Sequence, residues 1–121
     1  MARILVVDDE EPVRKMLSAF LSDRGHTVET AAGGKAGLEV VSRSVVDLVL
    51  LDINMPDMNG IETLRRILAE NPRAAVIMIS GAGDETLARR ALEMGAFDYI
   101  EKPFDVDYLE KVVILKISTR P

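Results

Sequence analysis

Four short apolar runs, each halted by a polar or charged group, constrain this chain more than any other feature. Ile4-Leu5-Val6-Val7 stops at Asp8-Asp9, Leu48-Val49-Leu50-Leu51 at Asp52, Val76-Ile77-Met78-Ile79 at Ser80-Gly81, and Tyr99-Ile100 shortly before Lys102-Pro103. Apolar runs of this length between turn signals suit buried strands. If the strands lie parallel in one sheet, their carboxyl ends share an edge, which brings three carboxylates, a hydroxyl and an ammonium into one crevice. Those groups can hold a divalent cation and a phosphoryl group.

The intervening segments carry helical spacing. Glu10-Glu11-Pro12 places acids and a proline where a helix N-terminus favours them, followed by Val13, Met16, Leu17, Phe20 and Leu21, and Gly25 ends that helix. Thr27 to Ala31 reads as a short strand, and Gly33-Gly34 opens a weaker helix with Ala36, Leu38, Val40 and Val41. Asp47 to Asp52 is apolar on both faces, as expected of a strand covered on both sides. Ile61, Leu64, Ile67 and Leu68 mark a third helix, stopped near Asn71-Pro72, before a strand over Ala75 to Ser80. Leu87, Ala88, Ala91, Leu92 and a closing Gly95 give a fourth helix, Asp98 to Lys102 a fifth strand, and Asp105 to about Ser118 a last helix. Alternation of strand and helix with short connections predicts an α/β fold, a doubly wound five-stranded parallel sheet with five helices.

Composition narrows the chemistry. At 121 residues and 48% hydrophobic the chain fits one domain over residues 1–121. Twenty acidic against 15 basic residues, a net charge of -5, provide no general attraction to nucleic acid or an anionic membrane. The chain has no cysteine, which excludes disulfides and thiolate sites, and its lone His26 cannot build a zinc site, so the metal option is oxygen ligation. The first apolar run is too short for a signal peptide and none approaches membrane-spanning length, so a cytoplasmic chain is expected.

Three carboxylates from Asp8, Asp9 and Asp52 in one crevice would raise one another's proton affinity and call for a cation. An isolated Asp-Asp at a strand end serves equally well as helix cap or solvated charge; agreement among several strand ends favours a site. Magnesium suits it, since it takes few carboxylates, keeps waters and leaves positions for phosphate oxygens. Asp52, held at the end of an apolar strand, can act as a nucleophile on phosphorus. Lys102 would meet phosphoryl oxygens as a point charge, Ser80 as a hydroxyl donor, and the backbone of Ile53, Asn54 and Gly81 would complete the cradle.

These residues in this order resemble the receiver domain of bacterial two-component response regulators. Matching stretches are Val6 to Glu10, Leu51 to Gly60, Ile79-Ser80-Gly81 and Asp98-Tyr99-Ile100-Glu101-Lys102-Pro103-Phe104. The resemblance implies a flavodoxin-like fold, with Asp52 as phosphoacceptor for a sensor histidine kinase, a phosphotransfer protein or a small phosphodonor. It also implies magnesium held directly by Asp9, Asp52 and the Asn54 carbonyl, with Asp8 helping through water. Ser80 and Tyr99 take the places of the family's switch residues, and Lys102-Pro103 that of its cis peptide. The family's usual docking face, formed by the fourth helix, fifth strand and fifth helix, implies an output domain, a protein partner or a homodimer. The extra apolar residues Ile114, Leu115 and Ile117 on the last helix agree with that.

Three rival readings remain in view. An aspartate-nucleophile phosphatase needs a second aspartate two positions after the first, where this chain has Asn54. A nucleotide- or flavin-binding sheet needs a glycine- or hydroxyl-rich loop after the first strand, where this chain has acids. A receiver-like module acting without phosphorylation would leave the acids, Ser80 and Lys102 without a task. Outside the site, Met16, Met78 and Met94 read as core filling, His26 as a solvated loop residue, and Asp57 as either part of the site's rim or a turn aspartate.

Overall fold

The computed structural model describes residues 2–81, 83–103 and 105–118, the last two by backbone alone. Phe104 of the last motif, the Ile117 side chain and the tail from Thr119 fall outside the described residues. Among the described residues, strands β1 (Arg3–Val7), β2 (Thr27–Ala31), β3 (Leu48–Asp52), β4 (Ala75–Ser80) and β5 (Asp98–Glu101) alternate with helices α1 (Glu11–Asp23), α2 (Gly34–Arg43), α3 (Gly60–Glu70), α4 (Glu85–Met94) and α5 (Val106–Ser118). The strands form one parallel sheet in the order β2-β1-β3-β4-β5.

Side chains alternate across the sheet and feed two cores. Ile4, Val6, Leu48, Leu50, Ile77 and Ile79 pack with Leu17 and Leu21 of α1 and with Leu109, Val112 and Val113 of α5. Leu5, Val7, Val49, Leu51, Val76 and Met78 pack on the other face with α2, α3 and α4, through Val40, Leu64, Ile67, Ala88 and Ala91. β3 and β4 are buried along their whole length, which explains their unbroken apolar character.

Several local expectations need correction. Met16 is 39% exposed rather than core, because Leu17 and Leu21 already fill the contact of α1 with the sheet. α2 packs through Gly34, Gly37 and Val40, not Ala36, since a side chain at Gly37 would collide with Val7. His26 is half-buried and accepts a hydrogen bond from the Ala2 amide at Nδ1 (3.2 Å), so it anchors the chain start. Asp57 keeps the bonds of a turn aspartate to the amides of Asp57 and Met58 and also reaches α2, where its carboxylate accepts from the Gly34 and Lys35 amides, both at 3.2 Å. Desolvation is the largest single influence on Asp57 and raises its carboxyl, but the amides of Lys35, Gly34, Met58 and Asp57 together outweigh it and hold the carboxyl below the usual range.

Two glycines fix helix ends, Gly60 at the carboxyl edge of the sheet and Gly95 at its amino edge. A Cβ on Gly60 would lie 2.3 Å from the Asp52 carbonyl oxygen and 2.6 Å from the Ile53 Cα, so α3 can start against the end of β3 only with glycine there. Gly95, at φ +121, ends α4. Asn59 caps α3, accepting from the Glu62 amide at 2.9 Å.

Candidate phosphoryl and metal site

β1, β3 and β4 end together, and the cis Lys102-Pro103 bond follows β5 at the same edge. Asp52 pairs in register with Ile79, which puts Ser80 one residue beyond it, and the Lys102 amide donates to the Ser80 carbonyl at 2.8 Å. The structure therefore brings Asp8, Asp9, Asp52, Ser80 and Lys102 to one edge. Asp8 and Ser80 are fully buried, Asp52 is 5% exposed, and Asp9 faces solvent.

One carboxylate oxygen from each of Asp8, Asp9 and Asp52 lies within 4.8 Å of the others. Lys102 Nζ donates to Glu10 Oε1 at 2.8 Å and stands 3.2 Å from Asp8 Oδ2 and 3.6 Å from Asp52 Oδ2. Asp8 Oδ2 is buried and has only a shared hold on the Lys102 ammonium, which stands 3.2 Å away and donates more closely to Glu10. A buried oxygen with an unused lone pair, beside two further carboxylates, is what a hard, oxygen-seeking cation such as magnesium requires. The residues present fit that ion.

Charge balance in the site is uneven. Burial, then the Asp8 charge, push the Asp52 carboxyl up to about 6, against the opposing pull of Lys102 and the Asn54 amide. Asp8 is also raised, chiefly by burial. Desolvation works against the Lys102 ammonium, but Glu10, Asp52 and Asp8 overcome it and hold the amine above its ordinary range, while Glu10 is lowered by the same pair. Among the described residues Lys102 is the cation within ion-pair distance of the Asp8, Glu10 and Asp52 carboxylates, while Arg14 bonds the Asp8 backbone, so the carboxylates of this edge are short of positive charge.

Each of the three cradle amides already has a partner within the protein. The Ile53 amide donates to the Ile79 carbonyl at 2.9 Å, closing the β3–β4 ladder. The Asn54 amide donates to Asp52 Oδ1 at 3.2 Å, and the Gly81 amide to Asp84 Oδ2 at 2.9 Å. Asp84 Oδ2 also accepts from the Asn54 side chain at 2.8 Å. Tyr99 is half-buried against the core beside α4. Sequence reasoning missed three participants: Glu10 as partner of Lys102, Arg14, whose guanidinium donates to the Asp8 carbonyl at 2.8 Å, and Asp84. Only Glu10 carried a signal, its adjacency to Asp8-Asp9.

A groove of about 380 Å³ lined by Val41, Arg43, Val46, Val49, Asn71 and Ala74 lies at the opposite end of the sheet and contributes nothing to this cluster.

Residues 4–114 match the family described as response regulator receiver domain. Regulatory protein AtoC of Escherichia coli K12 is 40% identical over 111 residues, covering 92% of this chain and 24% of AtoC. A putative NtrX-like response regulator of Rickettsia bellii is 41% identical over 115 residues, covering 93% of this chain and 24% of its own. The chain thus spans about a quarter of the length of these curated relatives. Among solved structures, a receiver domain protein from Clostridium thermocellum superposes with a TM-score of 0.93 at 33% identity, covering 98% of this chain and 95% of that one. The receiver domain of NtrX from Brucella abortus gives 0.91 at 38% identity, with 97% and 99% covered.

Proposed function

The chain belongs to the response regulator receiver family, and from that membership we propose that Asp52 is its phosphoacceptor, with the phosphorylated carboxylate acting as a switch for partner binding. The observation that carries the proposal is the clustering of Asp52 with Asp8, Asp9 and Lys102 at one rigid sheet edge, where the Lys102 ammonium stands 3.6 Å from the acceptor.

In the proposed reaction an Asp52 carboxylate oxygen attacks phosphorus in a phosphohistidine of a sensor kinase or phosphotransfer protein, or in a small phosphodonor. A P–O bond forms as the bond to the leaving group breaks, and the leaving imidazole or carboxylate takes the electron pair. Asp9, Asp52 and the Asn54 carbonyl would hold magnesium, with Asp8 acting through water. When bound, magnesium supplies the positive charge that lowers the proton affinity of these acids and screens the phosphoryl oxygens. Lys102 exchanges its hold on Glu10 and Asp8 for the phosphoryl group, and the Ser80 hydroxyl closes on it from β4. Asn54 provides no acid where a phosphatase would need one, which supports an accumulating acyl phosphate with slow self-hydrolysis rather than turnover of an external substrate.

The new group brings about two negative charges to the edge. Moving a two-state equilibrium from mostly off to mostly on takes roughly 5.5 kcal/mol of differential stabilisation, within reach of several new charge-assisted bonds. Ser80 and Tyr99 would relay the change to α4, β5 and α5. The exposed apolar side chains Leu92, Phe97 and Leu115 support that face as the docking surface for an output domain, a partner or a second copy, whereas Ile114 lines the groove between α5 and α1. No helix among the described residues is long and apolar enough to cross a membrane, which agrees with a cytoplasmic setting.

Incubation with acetyl phosphate and magnesium tests the proposal by intact mass. One added phosphoryl group that requires magnesium and is absent in Asp52→Asn is expected; an unmodified wild-type protein would refute it.

A further inference from the structure

We propose that Asp84 is a built-in competitor for the phosphoryl group: its carboxylate occupies the Gly81 amide and the Asn54 side chain in the unphosphorylated protein and releases them when Asp52 is phosphorylated. The inference rests on the reading of Asp52 as acceptor. Asp84 precedes the first residue of α4, where an aspartate ordinarily accepts from amides two or three positions on. Here its backbone sits at φ -97 and ψ 12 instead of the extended conformation of such caps, and its side chain makes no capping bond. Oδ2 turns back and accepts from the Gly81 amide (2.9 Å) and from Asn54 Nδ2 (2.8 Å).

These two donors come from the loops that follow β4 and β3, one residue after Ser80 and two after Asp52. An anionic oxygen bridging them does there what a phosphoryl oxygen would do. The Gly81 N–H can serve one strong acceptor at a time, and a dianionic phosphoryl group beside Asp52 both outbids and repels a carboxylate. Asp84, once displaced, has donors waiting in the uncapped first turn of α4. Two arrangements of one carboxylate, back to Gly81 or forward to α4, therefore connect the occupancy of Asp52 to the start of that helix. By contrast the Ile53 amide is fixed in the sheet ladder and has nothing to exchange.

Binding of beryllofluoride, a phosphoryl mimic, in saturating magnesium tests the competition in the wild type, Asp84→Asn and Asp84→Ser, with Asp52→Asn as the blank. Asn and Ser keep the ability to cap α4 but carry no charge. Tighter binding by about tenfold in either variant is expected, on the scale of one charge-assisted hydrogen bond released from competition at a partly exposed position. A residue that merely ordered the loop would weaken binding when replaced, so the sign separates the two roles. Amide NMR adds a second readout: in the wild type, beryllofluoride should shift the Gly81 amide together with those of Thr86 and Leu87. Melting temperatures confirm that each variant is folded. Binding unchanged or weaker in both variants, or wild-type Thr86 and Leu87 amides that stay in place, would overturn the proposal. If the wild type takes no beryllofluoride, the assignment of Asp52 fails and this inference with it; if it binds while the variants match it, only the role of Asp84 fails.

Discussion

Replacing Asp52 by asparagine should stabilise the metal-free protein at neutral pH, even though it removes the residue on which the site depends. The Asp52 carboxyl goes from 3.8 to about 6 on folding, driven first by burial and then by Asp8. At about 1.36 kcal/mol per tenfold change in proton affinity, ionising it in the folded state costs up to about 3 kcal/mol once the pH exceeds both values. A raised folded value means that stability is fully present below about pH 4 and is lost as the pH rises through about 6. Asparagine keeps the shape and removes the charge but satisfies its amide imperfectly, so a gain of about 2 kcal/mol at pH 7.5 is expected, or roughly 6–10 °C in melting temperature for a domain of this size. Near pH 4 the gain should be gone and the variant should lie about 1 kcal/mol below the wild type, because the imperfectly satisfied amide remains when the ionisation cost has disappeared. With magnesium at ten times its dissociation constant the wild type regains about 1.4 kcal/mol and the variant little. Urea unfolding followed by circular dichroism, at both pH values with EDTA or magnesium, provides the comparison. A variant less stable than wild type at pH 7.5 in EDTA, or a difference independent of pH, would refute the charge argument.

Lys102→Met should cost about 1–3 kcal/mol in EDTA at pH 7.5, because buried Asp8 Oδ2 loses its nearest cation; unfolding by urea measures it, and no loss would show the ammonium to be irrelevant to the fold. Gly60→Ala should destabilise by about 3 kcal/mol or more, since its methyl would press on the backbone of Asp52 and Ile53, and thermal melting with a beryllofluoride titration should show stability and site lost together. Asp57→Ala should cost about 1 kcal/mol by uncapping α2. Because the Asp57 carboxyl is held low, that difference should be present at pH 7 and fade as the pH falls below about 4.

The architecture was legible because its signals are local. β2 and β4 begin and end where turn residues and apolar runs placed them, and β3 is apolar on both faces because helices cover both. The acids at the ends of β1 and β3 could be placed together because parallel strands share an edge. Direction of hydrogen bonding was not legible: whether the amides of Ile53 and Gly81 face a ligand, a neighbouring strand or Asp84 depends on loop geometry that spacing does not encode. Glu10 meets Lys102 across 92 positions of sequence, and Asp57 reaches α2 from a loop 22 residues away, contacts that only the assembled sheet creates. Met16 shows the remaining limit, since helical spacing marks an apolar stripe wider than the surface that the sheet covers.

The central claim is that Asp52 carries the phosphoryl group, and chemical trapping at that residue tests it most directly. Protein treated with acetyl phosphate and magnesium is reduced with borohydride, which converts an acyl phosphate of aspartate to homoserine, and the tryptic peptides, those spanning residues 4–14 and 44–65 among them, are sequenced by tandem mass spectrometry. Homoserine at position 52, dependent on both magnesium and the phosphodonor, is the predicted result. Conversion at Asp8 or Asp9 instead, or none anywhere in a folded protein, would contradict it.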